Sequence, residues 1–115
     1  MVEKWDIFYV DLDPTRGSEQ RGKRPVLVIS NEGVNRFLPI CTVIPFSSYK
    51  GAEKIFPTEL LIYKDDSGLS KDSILMFQQI KTIDQSRFIQ PKVGEIKNDS
   101  LKKEINNKII EYFDL

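Results

Sequence analysis

A chain of 115 residues is long enough for one hydrophobic core and too short for two, so residues 1–115 are expected to form a single domain. Its 17 Lys and Arg balance 17 Asp and Glu, which leaves no global charge to attract a polyanion; any binding to nucleic acid has to come from a local patch. With no histidine in the sequence, Ser-His-Asp and Cys-His triads, paired-histidine ribonuclease chemistry and most zinc sites are excluded, and chemistry is left to carboxylates, hydroxyls, Arg and Lys.

The first twelve residues, MVEKWDIFYVDL, carry charge early and hold no continuous apolar stretch of the kind a secretion signal needs. No later run approaches the length of a membrane span, so a soluble, cytoplasmic protein with no membrane partner is expected. DIFYVDL, 6–12, is β-branched and aromatic and predicts a strand. Asp11 and Asp13 share a strand-face parity, as a metal-binding pair does, but Asp13 precedes Pro14 and reads as a turn initiator. No metal site is predicted.

RGSEQRGKRPVLVIS, 16–30, is the most unusual stretch. Arg16, Arg21, Lys23 and Arg24 outnumber the single acid, Glu19, so the segment has a surplus of three positive charges in a neutral chain. Gly17 and Gly22 allow left-handed backbone, whereas Pro25 biases Arg24 toward an extended conformation at a strand entrance. A planar guanidinium held there beside a flexible cationic loop suits a phosphodiester. The same composition also describes a solvated hairpin loop. Glu19 reads equally as a base, as a hydrogen-bond acceptor for RNA, or as charge balance for Arg16 and Lys23.

RPVLVIS, 24–30, predicts a strand buried on both faces. NEGVN reads as a turn, and PICTVIPF, 39–46, as the third strand. Cys41, the only cysteine, lies among apolar residues and reads as a small buried hydrophobe. Ser47 and Ser48 close that strand and offer hydroxyls to a phosphate or a ribose 2′-OH. SSYKGAEK is a turn, TELLIY, 58–63, a fourth strand, and KDDSGLSKDS another turn that lacks the spaced ligands of a calcium loop.

SILMFQQIKTI, 73–83, predicts a fifth strand, with Ile74, Met76 and Gln78 on one face and Leu75, Phe77 and Gln79 on the other. Gln78, Gln79 and Lys81 are polar groups in an apolar run and mark a surface that is used. RFIQPKV, 87–93, is a sixth strand that Pro91 demotes to an edge. From Asn98 to Phe113, Leu101, Ile105, Ile109, Tyr112 and Phe113 fall on one helical stripe opposite Lys102, Lys103, Asn106 and Asn107. Asn98 is the predicted N-cap and Asp99 favours the positive end of the helix. The fold class expected is mainly β: five to six antiparallel strands in a curled sheet or small barrel, plus one C-terminal amphipathic helix.

DIFYVDLDPTRGSEQRGKRPVLVISNEGVNRF, then VIPFSS, then QQIKTID closely resembles the MazF/PemK family of bacterial toxins, in order along nearly the whole chain. The resemblance implies a small SH3-like or CcdB-like barrel that forms a homodimer. It implies a sequence-specific endoribonuclease of a type II toxin-antitoxin system, needing no metal or other cofactor, that cuts single-stranded RNA, chiefly mRNA. It also implies a partly disordered, acidic MazE/PemI-like antitoxin that covers the same groove.

The family's catalytic arginine falls on Arg24, before the Pro-Val-Leu-Val run, and its catalytic threonine falls on Ser47. Expected RNA contacts are Arg16, Ser18, Gln20, Arg21 and Lys23 in the loop, with Ser48, Gln78 and Gln79 beyond it. Three positions depart from the family pattern: Trp5 where Gly is common, Ser for Thr at 47, and Gln78 where an acid is common. The implied chemistry is attack of a 2′-OH on the adjacent phosphorus, giving a 2′,3′-cyclic phosphate and a 5′-OH. Arg24 would stabilise the developing charge and Ser47 would position the phosphate or 2′-OH. Arg stays protonated, so the base is left to Glu19 or water. Two other roles are open to the same fold: a CcdB-like toxin that binds gyrase, and a catalytically degenerate protein that only binds antitoxin.

Overall fold

The computed structural model describes residues 2–115. Seven strands, β1 (Asp6–Asp11), β2 (Lys23–Val28), β3 (Ile40–Ser48), β4 (Glu59–Ile62), β5 (Ser73–Met76), β6 (Lys81–Asp84) and β7 (Phe88–Glu95), form an antiparallel sheet. Their spatial order is β4-β5-β3-β2-β1-β7, with β6 also paired to β3. Three helices join them: α1 (Glu32–Phe37), α2 (Lys64–Ser67) and α3 (Asp99–Phe113). The mainly-β architecture with one long C-terminal helix is the one expected, and β7 lies at an edge, paired only with β1.

There are seven strands because the predicted strand 73–83 is two. β5 pairs with the end of β3, Phe46 opposite Leu75, and β6 with its beginning, Val43 opposite Lys81. Three steps along β3 thus match six along the partner. The surplus bulges out as a 3-10 turn at Phe77–Gln79, which lifts Gln78 and Gln79 off the ladder and ends the alternation assumed for them.

Side-chain alternation sends the apolar residues of β1, β2 and β3 to both sides of the sheet. Phe8, Val10, Val26, Val28, Cys41 and Val43 pack in one cluster with Leu12, Ile83 and Phe88. Ile7, Leu27, Ile44 and Phe46 pack in the other with Ile62, Leu75, Phe77, Ile96 and Ile105. Leu27 and Val28, consecutive in sequence, are both fully buried, as the continuous apolar run demands; each such side chain contributes about 1.5–3 kcal/mol. Helix α3 covers the second cluster with Ile105, flanked by Leu101 and Ile109. Tyr112 and Phe113, predicted on the same stripe, instead stay 40% and 49% exposed.

The caps explain the helix boundaries. Asn98 Oδ1 accepts from Leu101 N–H at 3.0 Å, as predicted. NEGVN, expected as a turn, winds into α1 because Asn31 Oδ1 accepts from Val34 N–H at 3.0 Å. Cys41 is buried and its thiol donates to Asn35 Oδ1 at 3.2 Å; burial pushes its pKa up, only partly offset by Ser30, so it stays a neutral thiol.

Candidate active site at the mouth of the second strand

The cationic loop closes on itself. Leu12 N–H donates to Gly22 O at 3.0 Å and Gly22 N–H to Asp13 Oδ1 at 3.2 Å, which spends the Asp13 carboxylate on the backbone. Asp11 Oδ1 likewise takes Asp13 N–H at 3.0 Å. Inside the loop, Arg16 and Glu19 bond reciprocally: Arg16 N–H donates to Glu19 Oε1 at 2.5 Å and Glu19 N–H to Arg16 O at 3.0 Å. Gly17 and Gly22 hold φ of +54° and +81°. A Cβ on either would meet nothing within 4 Å, so both positions need glycine for backbone conformation and not for space.

Among the described residues the ion pairs are Arg36–Glu32, Lys92–Asp6 and Lys92–Glu95. Arg16, Arg21, Lys23 and Arg24 therefore keep their charge unpaired by any carboxylate, as a phosphate site requires. Arg24, half-buried at the start of β2, is held by a neutral oxygen: its Nε donates to Arg21 O at 2.7 Å. The Gln20 amide lies over the face of the guanidinium, close to all three of its nitrogens.

The β2–β3 ladder runs Val28 with Val43, Leu27 with Ile44 and Val26 with Pro45. The ladder ends there, and Arg24 and Ser47 each lie two residues beyond its last rung, Ser47 now paired with Ile74 of β5. Alternation puts both side chains on the face of Val26 and Val28, the face that also carries Lys81 through its pairing with Val43. Lys23 and Ser48 leave their strands on the opposite face. There, with Tyr9, Ser70, Lys71 and Ser73, they line a cavity of about 250 Å³ that Arg24 also borders. The predicted patch is thus split by strand parity, Ser47 from Lys23 and Ser48, with Arg24 on the parity of Ser47 while bordering the cavity of the other two.

Gln78 and Gln79 wall a second cavity of about 200 Å³ with Glu19, Gln20, Ile80 and Lys81. Gln79 is pinned to the loop: its Oε1 accepts from Gln20 N–H at 3.0 Å and its Nε2 donates to Ser18 O at 2.9 Å. Gln78 Nε2 donates to Glu59 Oε2 at 2.8 Å. That orients the amide and leaves Oε1 buried without a partner among the described residues. Sequence reasoning missed Tyr9, Lys71 and Ser73 around the first cavity and Glu59 beside Gln78, which reach the site only through the topology. Among the described residues no three His, Cys, Asp or Glu gather as metal ligands, and no helix is long and apolar enough to cross a membrane.

What this arrangement can do is hold an anionic, extended ligand against one seated guanidinium. Residues 3–113 match the family described as PemK-like, MazF-like toxin of type II toxin-antitoxin system. The chain belongs to this toxin family. It is 37% identical over 109 residues to Endoribonuclease MazF of Staphylococcus saprophyticus, covering 95% of this chain and 88% of that relative. Endoribonuclease EndoA of Bacillus subtilis is 36% identical over 103 residues, covering 90% and 87%. Solved structures of the family share the fold at low identity. MazF from Deinococcus radiodurans superposes with a TM-score of 0.79 at 22% identity, over 99% of this chain and 97% of that one. A mycobacterial endoribonuclease solved with its cognate antitoxin gives 0.79 at 17% identity, over 100% and 97%.

Proposed function

We propose that this toxin is an endoribonuclease that cuts single-stranded RNA without a metal ion, by attack of a ribose 2′-OH on the adjacent phosphorus. The P–O5′ bond breaks as the O2′–P bond forms, leaving a 2′,3′-cyclic phosphate on one product and a 5′-OH on the other. Arg24 stabilises the charge that develops on the phosphorane oxygens, and Ser47 hydrogen-bonds the phosphate or the attacking hydroxyl. A base comes from water or from Glu19, whose carboxylate must first leave Arg16 N–H.

One observation carries this reading: Arg24 lies just past the end of the β2–β3 ladder on the strand parity that Ser47 shares, its Nε held by Arg21 O and its charge unpaired by any acid among the described residues. An incoming phosphate replaces a neutral acceptor and competes with no carboxylate. Both curated relatives bear the name endoribonuclease. Further cations on the loop, Arg16 and Arg21, supply phosphate contacts along the strand, and Ser18 and Glu19 offer groups to unpaired bases. Lys23 and Ser48 take the chain onward on the far face of β2.

The same exposed cations suit an acidic antitoxin segment. That partner, a two-fold homodimer with two equivalent sites, one toxin domain over 1–115 and a cytoplasmic setting complete the proposal. The test is incubation of the purified protein with a defined single-stranded RNA in EDTA. Discrete fragments ending in 5′-OH and cyclic phosphate support it. Intact RNA rejects it, and inhibition of gyrase supercoiling by the same preparation would then identify a CcdB-like binder.

A further inference from the structure

Gln79 uses both ends of its amide on the backbone of a loop some sixty residues away. Its Oε1 holds Gln20 N–H and its Nε2 holds Ser18 O, so a side chain imitates one rung of a β-ladder and straddles Glu19 between them. With its acceptor engaged and one of its donors spent, this amide is poorly placed to read a base. What it does fix is the segment that seats Arg24. Gln20 carries the amide that lies over the face of the guanidinium, and Arg21 the carbonyl that takes Nε.

The anchor for this clamp is the core. Gln79 ends the 3-10 turn that begins at Phe77, whose ring is 1% exposed in the second cluster. Phe77 N–H donates to Thr58 O at 3.1 Å and Ile80 N–H closes the turn onto Phe77 O at 3.2 Å. The loop, by contrast, is hinged by glycines at both ends, Gly17 and Gly22, with φ of +54° and +81°. A chain of contacts therefore runs from Phe77 through Gln79 to Gln20 and on to Arg24.

We infer that Gln79 is a positioning residue, holding Arg24 in place through Gln20, and makes no base contact of its own. The inference rests on the reading of Arg24 as the charge-stabilising group. Gln79→Ala frees the loop and costs preorganisation at Arg24, so it slows the chemical step for every sequence the toxin cuts.

The test compares wild type, Gln79→Ala, Gln20→Ala and the double variant, using single-turnover cleavage of one oligonucleotide over a range of toxin concentrations and cut-site mapping in a transcript pool. Gln79→Ala is expected to lower the rate constant at saturation by about ten- to a hundredfold, with the half-saturating concentration and the cut-site consensus unchanged. The double variant is expected to be no slower than the slower single variant, because both substitutions break one chain. Multiplying rate losses or an altered consensus would overturn the inference and make Gln79 a base reader. Gln79→Glu, which keeps the acceptor for Gln20 N–H and loses the donor to Ser18 O, is expected to fall between wild type and Gln79→Ala, and serves if the alanine variant misfolds. Hydrogen exchange gives an activity-free check: the Gln20 amide is expected to lose protection in Gln79→Ala, and retained protection contradicts the clamp. A wild type inactive on RNA would reject the proposed function instead, while full activity in Gln79→Ala rejects only the clamp.

Discussion

Arg24 and Ser47 share one strand parity, each two residues beyond the last paired rung of β2 and β3, Val26 with Pro45. Their neighbours Lys23 and Ser48 point to the other face, toward Tyr9, Lys71 and Ser73. Two pairs that look equivalent in sequence are therefore not equivalent in space, and substitutions should separate them.

Ser47→Ala is expected to lower the cleavage rate by about a hundredfold, the usual scale for losing one preorganised donor at developing charge. Ser48→Ala is expected to leave the rate constant at saturation within a few-fold and change RNA affinity only. Equal losses from both would mean that the alternation at the end of β3 does not govern the site. Single-turnover rates on one oligonucleotide decide it.

The loop cations act at a distance from the chemistry. Arg16→Ala and Arg21→Ala are each expected to weaken RNA binding and to flatten the dependence of log affinity on log salt by about 0.7, as loss of one contact to a single strand does. Binding titrations of uncleavable RNA at several salt concentrations check this. An unchanged slope would place that arginine outside the RNA path.

Glycines test the backbone. At Gly94 a Cβ would lie 2.2 Å from Ser67 O, a backbone atom that cannot step aside, so Gly94→Ala is expected to destabilise by several kcal/mol, well above the usual point-substitution cost of about 1 kcal/mol. Gly22→Ala meets nothing within 4 Å and costs only its left-handed conformation, about 1–2 kcal/mol. Thermal or urea unfolding measures both, and equal destabilisation would contradict the geometry.

Lys92 ties β7 to β1, with Nζ 2.9 Å from Glu95 Oε1 and 3.1 Å from the buried Asp6 Oδ1. Its hydrogen bond, opposed only in part by burial, holds the Glu95 carboxyl below its ordinary 4.5. A depressed carboxyl contributes stability that is present above the unfolded value and lost as pH falls through the folded one. Lys92 is raised above 10.5, mainly by Glu95 and then by Asp6. Its share is present below that value and lost as pH climbs past the folded one. The melting temperature is therefore expected to fall on acidification below about 4.5 and on alkalinisation above about 10.5. Lys92→Met should shrink both declines. A variant with the wild-type profile would show that the bridge carries no linkage.

Much of this was legible in the chain. Continuous apolar runs marked β2 and β3, Pro91 marked an edge, and Asn98 marked the start of α3, because each signal is local. The break at Phe77–Gln79 was not, since nothing in SILMFQQIKTI states that β3 pairs with its two halves three residues out of phase. Gln78 and Gln79 stand out in the sequence as polar intruders, yet the clamp onto Ser18 and Gln20 depends on a contact that only the folded sheet creates. Strand parity separates Ser47 from Ser48, but which face holds Arg24 follows from the β2–β3 register. Tyr112 and Phe113 fit the helical stripe and remain exposed because the second cluster is covered one and a half turns earlier, by Ile105 and Ile109.

The most direct measurement is single-turnover cleavage of a defined single-stranded RNA in EDTA by wild type and Arg24→Ala, with unfolding curves taken alongside. Arg24 is half-buried, and its side chain's one hydrogen bond among the described residues goes to Arg21 O in the exposed loop, so its removal is expected to leave the fold intact. The predicted result is a loss of about a hundredfold or more in rate at an unchanged melting temperature. Cleavage by Arg24→Ala at the wild-type rate would contradict the assignment of that guanidinium to the scissile phosphate.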